Sequence, residues 1–93
     1  AYSDKRLKTN IETISGALEK VNALRGVTFD KDGKRGLEVI AQEVEKILPE
    51  VVLDGEEYKS VAYGNIVGVL IEAMKEQQSQ INELKEKLDG FTK

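Results

Sequence analysis

Val67-Gly68-Val69-Leu70-Ile71-Glu72-Ala73-Met74-Lys75-Glu76-Gln77-Gln78 opens a seven-residue apolar repeat. Val67, Met74, Ile81 and Leu88 recur every seven residues, and Leu70, Gln77 and Leu84 follow the first three of them at a spacing of three. This is the a and d pattern of a coiled coil, with one polar d position at Gln77, and Phe91 continues the d series past Gly90. Glu72, Lys75, Glu76, Glu83, Lys85, Glu86 and Lys87 fall mostly outside the seam. Such a helix either packs on its own domain or associates with copies of itself. The seam runs well past the last predicted strand, where so short a chain has nothing left to cover it. Self-association through Val67, Leu70, Met74, Gln77, Ile81, Leu84 and Leu88 is therefore expected. Gln77 reads as a polar seam residue that selects register or oligomer state; the alternative is the point where the helix leaves the core and becomes solvated.

Upstream of this helix the punctuation is that of a small α+β head. Ser15-Gly16 opens a helix, with Ser15 a suitable N-cap, Leu18, Val21 and Leu24 at helical spacing, and Gly26 ending the run. Val27-Thr28-Phe29 leads into Asp30-Lys31-Asp32-Gly33, where Asp-Gly favours the positive dihedrals of a hairpin, with a return strand near Gly36 to Val39. A short helix follows from Ala41 to Leu48, stopped by Pro49. Val51-Val52-Leu53 and Tyr58-Lys59-Ser60-Val61, joined through Asp54-Gly55, predict a second hairpin. Residues 3–14, with Leu7, Thr9, Ile11 and Thr13 weakly alternating, read as an extended arm or irregular strand.

Composition narrows the chemistry. The chain has 93 residues, enough for one domain with a marginal core. Charged residues are 33% and aromatics 5%, so that core must come from Val, Ile, Leu and Ala. Net charge is −3, and the basic residues are interleaved with acidic ones rather than gathered into a stripe, which argues against a nucleic-acid surface. Neither Cys nor His is present, so disulfides and the common transition-metal sites are excluded and no cofactor is expected. Asp30, Asp32 and Gly33 resemble the start of a calcium loop, but no Glu follows at the required distance, and the fragment reads as a turn. Gly33-Lys34 and Gly36 lack the spacing of a phosphate-cradling loop. No apolar run approaches the ~20 residues of a membrane-spanning helix. The chain opens at Ala1-Tyr2 without Met and is expected to be a piece of a longer protein.

Without Cys or His, the common route left to a nucleophile is Ser or Thr activated by a Lys amine or a carboxylate. Ser3-Asp4-Lys5-Arg6-Leu7-Lys8-Thr9-Asn10-Ile11 offers such a pair in Ser3 and Lys8. Lysine serves as a base only when its pKa falls from ~10.4 toward neutrality, through burial or neighbouring positive charge. Lys5 and Arg6 supply positive charge nearby, and Leu7 can help exclude water. Five residues apart, the two side chains meet neither on an ideal helix nor on one face of a strand. They must meet through a turn or across chains. On spacing alone the segment reads as a solvated basic arm.

Ser3 to Ile11 nevertheless resembles the Ser-Asp-x-Arg-Leu-Lys-x-Asn-Ile start of the C-terminal intramolecular chaperone domains of phage tailspikes, tail fibres and neck appendage proteins, the self-cleaving peptidase S74 family. Leu24-Arg25-Gly26-Val27-Thr28-Phe29 is similar to that family's Leu-x-Gly-Val-x-Phe strand, and Ile40-Ala41-Gln42-Glu43-Val44-Glu45 with Pro49-Glu50 to its Ile-Ala-Gln-Glu-Val-Glu helix ending in Pro-Glu. Tyr58 to Tyr63 and Leu70 to Ala73 resemble its closing motifs, so the likeness covers nearly the whole chain in order.

The resemblance implies Ser3 as nucleophile, Lys8 as its general base and a cut at Tyr2–Ser3 that releases everything upstream. Asn10 belongs to the motif; it orients Ser3 or donates to an oxyanion, or else makes a local turn-forming hydrogen bond. Asp4 and Arg6 are expected to form an ion pair or interchain contact. The implied protein is a homotrimer divided into a cleavage-site arm (1–14), an α+β head (15–61) and a C-terminal coiled-coil helix (62–91). It assists the folding of an upstream β-structured tail spike or fibre segment of the same precursor, in the bacterial host cytoplasm during virion assembly. The upstream part then joins the phage tail and this domain is released. Nucleic acid, membrane and metal are not among the expected partners. The alternatives are a trimerisation module that never cuts, and the same self-cleaving domain fused to a DNA-binding or membrane-tethered regulator.

Overall fold

The Asp32-Gly33 turn sets the first element of the head. The computed structural model describes residues 2–92, and in it Asp32 has φ 52° and Gly33 φ 73°. Two successive positive φ angles give the mirror-image turn whose twist matches antiparallel strands. Strand β1 (Val27–Lys31) therefore pairs at once with β2 (Lys34–Glu38), with Val27 opposite Glu38 and Lys31 opposite Lys34. The return strand starts at Lys34 rather than near Gly36, because a two-residue turn leaves no loop to spend. Phe29 lies opposite Gly36, and a Cβ on Gly36 would come within 2.9 Å of the Phe29 ring. The ring covers the glycine and fills the space a side chain would take.

Helix α1 (Ala17–Ala23) precedes this hairpin and α2 (Ala41–Ile47) follows it. Pro49 ends α2 and opens a single 3₁₀ turn, Pro49–Val51. Strands β3 (Val52–Asp54) and β4 (Lys59–Val61) form a second antiparallel hairpin, separate from the first. A lone hairpin is marginal in water. This one lies against α2, and the Ala62 N–H donates to the Val51 carbonyl at 2.7 Å. Helix α3 (Tyr63–Thr92) follows β4. The architecture is α+β: short helices and hairpins carried on one long C-terminal helix.

The buried core is small. Ala17, Val44, Leu48, Val51, Ile66, Val69 and Ala73 make it up, with Leu18, Val21, Leu24, Val39, Ile47, Val52 and Val61 packed around them. Ile66, Val69 and Ala73 form one stripe of α3 at helical spacing, and α1 lies on that stripe. Ala17 is fully buried, and its short side chain lets the two helices approach closely.

Helix α1 is not capped as its sequence predicts. Gly16, with φ 63°, is the N-cap, and it has no side chain to offer the free N–H groups of the first turn. The Glu76 carboxylate of α3 takes them instead: Oε1 accepts from the Ala17 N–H at 3.0 Å and Oε2 from the Leu18 N–H at 2.9 Å. A negative charge at a helix N-terminus is also favoured by the helix dipole. One carboxylate thus fixes both the position and the direction of α1 on α3.

Past Glu76 the long helix leaves the head, and every residue from 77 to 91 is exposed. The chain exposes 8106 Å², where a chain of this mass folded on itself exposes about 5,400 Å². Its radius of gyration is 17.8 Å against about 12 Å for a compact domain of this length.

Replacing Glu76 by Ala leaves two partly buried N–H groups without acceptors. The expected cost is ~1–2 kcal/mol in urea unfolding at matched protein concentration, with Glu76→Gln recovering part of it. Equal stability of the wild type and Glu76→Ala would contradict this capping role.

Candidate functional site

Among the described residues, the N-terminal arm contains one ordered device, a 3₁₀ turn over Lys5–Leu7, and no strand. Asp4 is its N-cap and accepts the Arg6 N–H on Oδ1 at 2.9 Å. The Leu7 N–H reaches the Asp4 carbonyl and the Lys8 N–H the Lys5 carbonyl, each at 3.1 Å. The Arg6 guanidinium folds back onto the same carboxylate: Nε lies 3.1 Å from both oxygens and Nη2 2.7 Å from Oδ2. This fork, and after it the Arg6 backbone N–H, holds the Asp4 carboxyl below the usual carboxylate range. The ion pair expected from the sequence therefore forms within one chain.

Ser3 and Lys8 flank this turn. A 3₁₀ turn advances about 2 Å per residue against ~3.3 Å on a strand, so the two ends are drawn toward each other. Tyr2, Asp4, Arg6 and Leu7 line one open groove of about 420 Å³, which puts Tyr2 and Leu7 on the same small surface. Among the described residues no hydrogen bond joins Ser3 to Lys8, and both side chains are exposed. Leu7 is 70% exposed, so within one chain it shields nothing from water. The Arg6 charge, expected from the sequence to act on Lys8, is held by Asp4 instead.

Asn10 has φ 51°, in the left-handed region that Asn tolerates better than most residues. It makes no side-chain hydrogen bond among the described residues, so its role within one chain is to turn the backbone. The arm then runs to Ile14, whose Cδ1 lies 3.6 Å from where a Cβ on Gly68 would stand. That contact and the cap on α1 seat the end of the arm on α3.

The remaining motif residues are scaffold. Arg25, ahead of β1, makes a two-pronged contact with Glu43 of α2, at 3.1 and 2.6 Å. Lys59 of β4 donates to Glu45 of α2 at 3.1 Å and to Asp54 of β3 at 2.5 Å. The Asp54 bond, then the Glu45 bond, raises the Lys59 pKa. The Val39 N–H donates to the Tyr63 hydroxyl at 3.2 Å, tying the end of the first hairpin to the start of α3.

Helix α3 carries a second apolar stripe beside the buried one. Val67, Leu70, Met74, Ile81, Leu84 and Leu88 are all exposed, and so is Gln77, which stands where the helix leaves the head. Among the described residues no helix is long and apolar enough to cross a membrane, and no acidic cluster could hold a metal ion.

The sequence profile of the peptidase S74 family, described as the chaperone of endosialidase, matches residues 3–53, more than half of the chain. The chain belongs to the chaperone of endosialidase family. The match opens at Ser3, the first residue of the turn motif, and runs over α1, the first hairpin and α2 into β3. Relatives of this chaperone domain extend the likeness into α3. The long tail fiber protein Gp37 of Enterobacteria phage M1 is 39% identical over 104 residues, spanning 98% of this chain and 41% of that protein. The corresponding protein of Enterobacteria phage Ox2 is 38% identical, over 89% of this chain and 38% of its own length. That of Enterobacteria phage K3 is 36% identical, over 92% of this chain but only 8% of its own length. The chain spans less than half the length of these curated relatives.

The exposed Arg25–Glu43 contact predicts a small acid-sensitive contribution to the stability of the head. The Arg25 bond is the main cause that holds the Glu43 carboxyl below its ordinary value of 4.5. A depressed folded pKa stabilises above the unfolded value and is lost as pH falls through the folded one. Thermal melts should therefore place Glu43→Gln below the wild type at pH 7, with the two converging well under pH 4.5. A difference that persists in acid would show that the carboxylate charge is not what matters.

Proposed function

We propose that this domain is a tail-fibre chaperone that assembles as a homotrimer and then cuts itself from the chain it has helped to fold. The observation that carries the reading is the pair of stripes on α3. Ile66, Val69 and Ala73 are buried on the head, while the adjoining heptad seam has no cover. An isolated helical segment as polar as residues 77–91 is marginal in water. Three copies joined along Val67, Leu70, Met74, Gln77, Ile81, Leu84 and Leu88 would bury the seam and leave three heads around one axis. Gln77, at the entrance to the free part of the helix, would set register there. The fibre names of the relatives support an upstream fibre segment as the client. Long fibrous trimers fold slowly because non-local pairing must await alignment of their chains. A coiled coil formed from local contacts supplies that alignment. On this reading the domain acts in the bacterial host cytoplasm during virion assembly, and the upstream part goes on to the phage tail.

The cut follows from Ser3 and Lys8. The Lys8 amine takes the Ser3 hydroxyl proton, and Oγ attacks the Tyr2 carbonyl carbon. The Tyr2–Ser3 C–N bond breaks as the ammonium returns the proton to the Ser3 nitrogen, leaving the Tyr2 acyl group as an ester on Oγ. Water hydrolyses the ester, freeing the upstream carboxylate and restoring the Ser3 hydroxyl. A lysine base must be neutral when it acts, and both side chains lie open in a single chain. Assembly on the folded client would supply the missing burial, so the cut comes last and separates a finished fibre from its folding aid.

A precursor carrying some tens of upstream residues tests this. Sedimentation equilibrium should give three times the chain mass. Ser3→Ala, Lys8→Ala and Lys8→Arg should all remain trimeric and uncut on a gel after an incubation that cuts the wild type fully, since Arg keeps the charge but cannot act as a base near neutral pH. Wild-type cutting should slow as pH falls, because a protonated amine cannot take the Ser3 proton. A monomer would contradict the assembly. An uncut wild type would favour the non-cleaving module, and normal cutting by Lys8→Arg would require another base.

A further inference from the structure

We propose that Asp4 and Arg6 are positioning residues for the self-cleavage: their fork fixes the 3₁₀ turn that presents Ser3 to Lys8. The inference rests on the self-cleavage reading and adds to it the part that holds the pair in place. Three consecutive amides are committed in this turn. Arg6 N–H goes to Asp4 Oδ1, Leu7 N–H to the Asp4 carbonyl and Lys8 N–H to the Lys5 carbonyl. The Arg6 side chain adds three contacts to the same carboxylate, gripping both oxygens. Side chains two apart do not face each other on a regular helix, so this contact is specific to the tight turn.

The turn has no core to serve. Every residue from 2 to 16 is exposed, and an exposed ion pair contributes little to stability. Order without burial, placed between the nucleophile and its base, points to geometry as the property being held. The fork also pairs the Arg6 charge with Asp4, so the guanidinium is committed to the shape of the turn. An error of about 1 Å in such an alignment can cost ~100-fold in rate.

The test uses the same precursor and follows single-turnover cutting across pH. Asp4→Ala and Arg6→Ala should cut ~10–100-fold more slowly than the wild type, with unchanged trimer mass, helical content and pH midpoint. Asp4→Asn keeps an acceptor for the Arg6 N–H and should recover part of the rate. Arg6→Lys keeps the charge without the two-pronged grip and should be as slow as Arg6→Ala. Wild-type rates in Asp4→Ala and Arg6→Ala would overturn the inference while leaving self-cleavage intact. So would a wild-type rate in Arg6→Lys, or a shifted pH midpoint, because either would make Arg6 a source of charge. Loss of assembly in these variants would overturn it too, making the pair a structural one. A wild-type precursor that never cuts, or a Ser3→Ala precursor that still does, would remove the self-cleavage reading and this inference together.

Discussion

The Glu76 carboxylate is the contact on which the arrangement of this domain depends. It closes the N-terminus of α1 with both oxygens, from a position on α3 where that helix stops touching the head. A seven-residue helix with a glycine N-cap has little intrinsic stability, so its place in the fold comes from what it is attached to. Because the arm enters α1 through Gly16, the same carboxylate fixes where the arm ends. Ile14 on Gly68 adds a second seat two residues earlier. The segment bearing Ser3 and Lys8 is thereby referenced to α3, the helix whose seam faces the other copies on the proposed reading. Assembly state and arm geometry are then linked through one helix.

A core of seven small and medium apolar side chains can hold a head of this size but leaves nothing for the second half of α3. The helix resolves the conflict by dividing its apolar residues between two stripes. The inner one uses Ile66, Val69 and Ala73 and ends with Glu76, while the outer one begins at Val67 and runs on through Leu88. The choice between packing on the domain and packing on copies therefore does not arise as alternatives for α3. Its first half packs on the head and still carries an open seam, and its second half carries the seam alone.

Much of this was legible in the sequence. Asp32-Gly33 announced its hairpin, Pro49 ended α2 where it stands, and the heptads marked the long helix. The ordered motifs from Ser3 to Ala73 identified the family. What escaped were contacts between residues far apart or locally unusual. The cap on α1 comes from 58 and 59 residues away, so Ser15 looked like the natural cap and Glu76 like a solvated position. The stripe of Ile66, Val69 and Ala73 was hidden because this part of α3 is apolar on two neighbouring faces, and the heptad pattern drew both into one. The arm read as extended because its weak alternation suggested a strand, whereas Asp4 capping its own second neighbour makes a turn. At the candidate site the residue types and the Asp4–Arg6 ion pair were readable, but not the 3₁₀ turn that the pair closes, which no apolar periodicity reports.

The central claim is that α3 is completed by copies of the chain, and amide hydrogen exchange along residues 77–91 tests it most directly. Each of these residues is exposed in a single chain, so their helical hydrogen bonds should be protected only in the assembly. The account predicts slow exchange at concentrations where the trimer is populated and fast exchange on dilution, while amides of the head core, such as Val44, keep protection of their own. Exchange across 77–91 as fast as in an unstructured peptide at every concentration, or protection indifferent to dilution down to a demonstrated monomer, would contradict it.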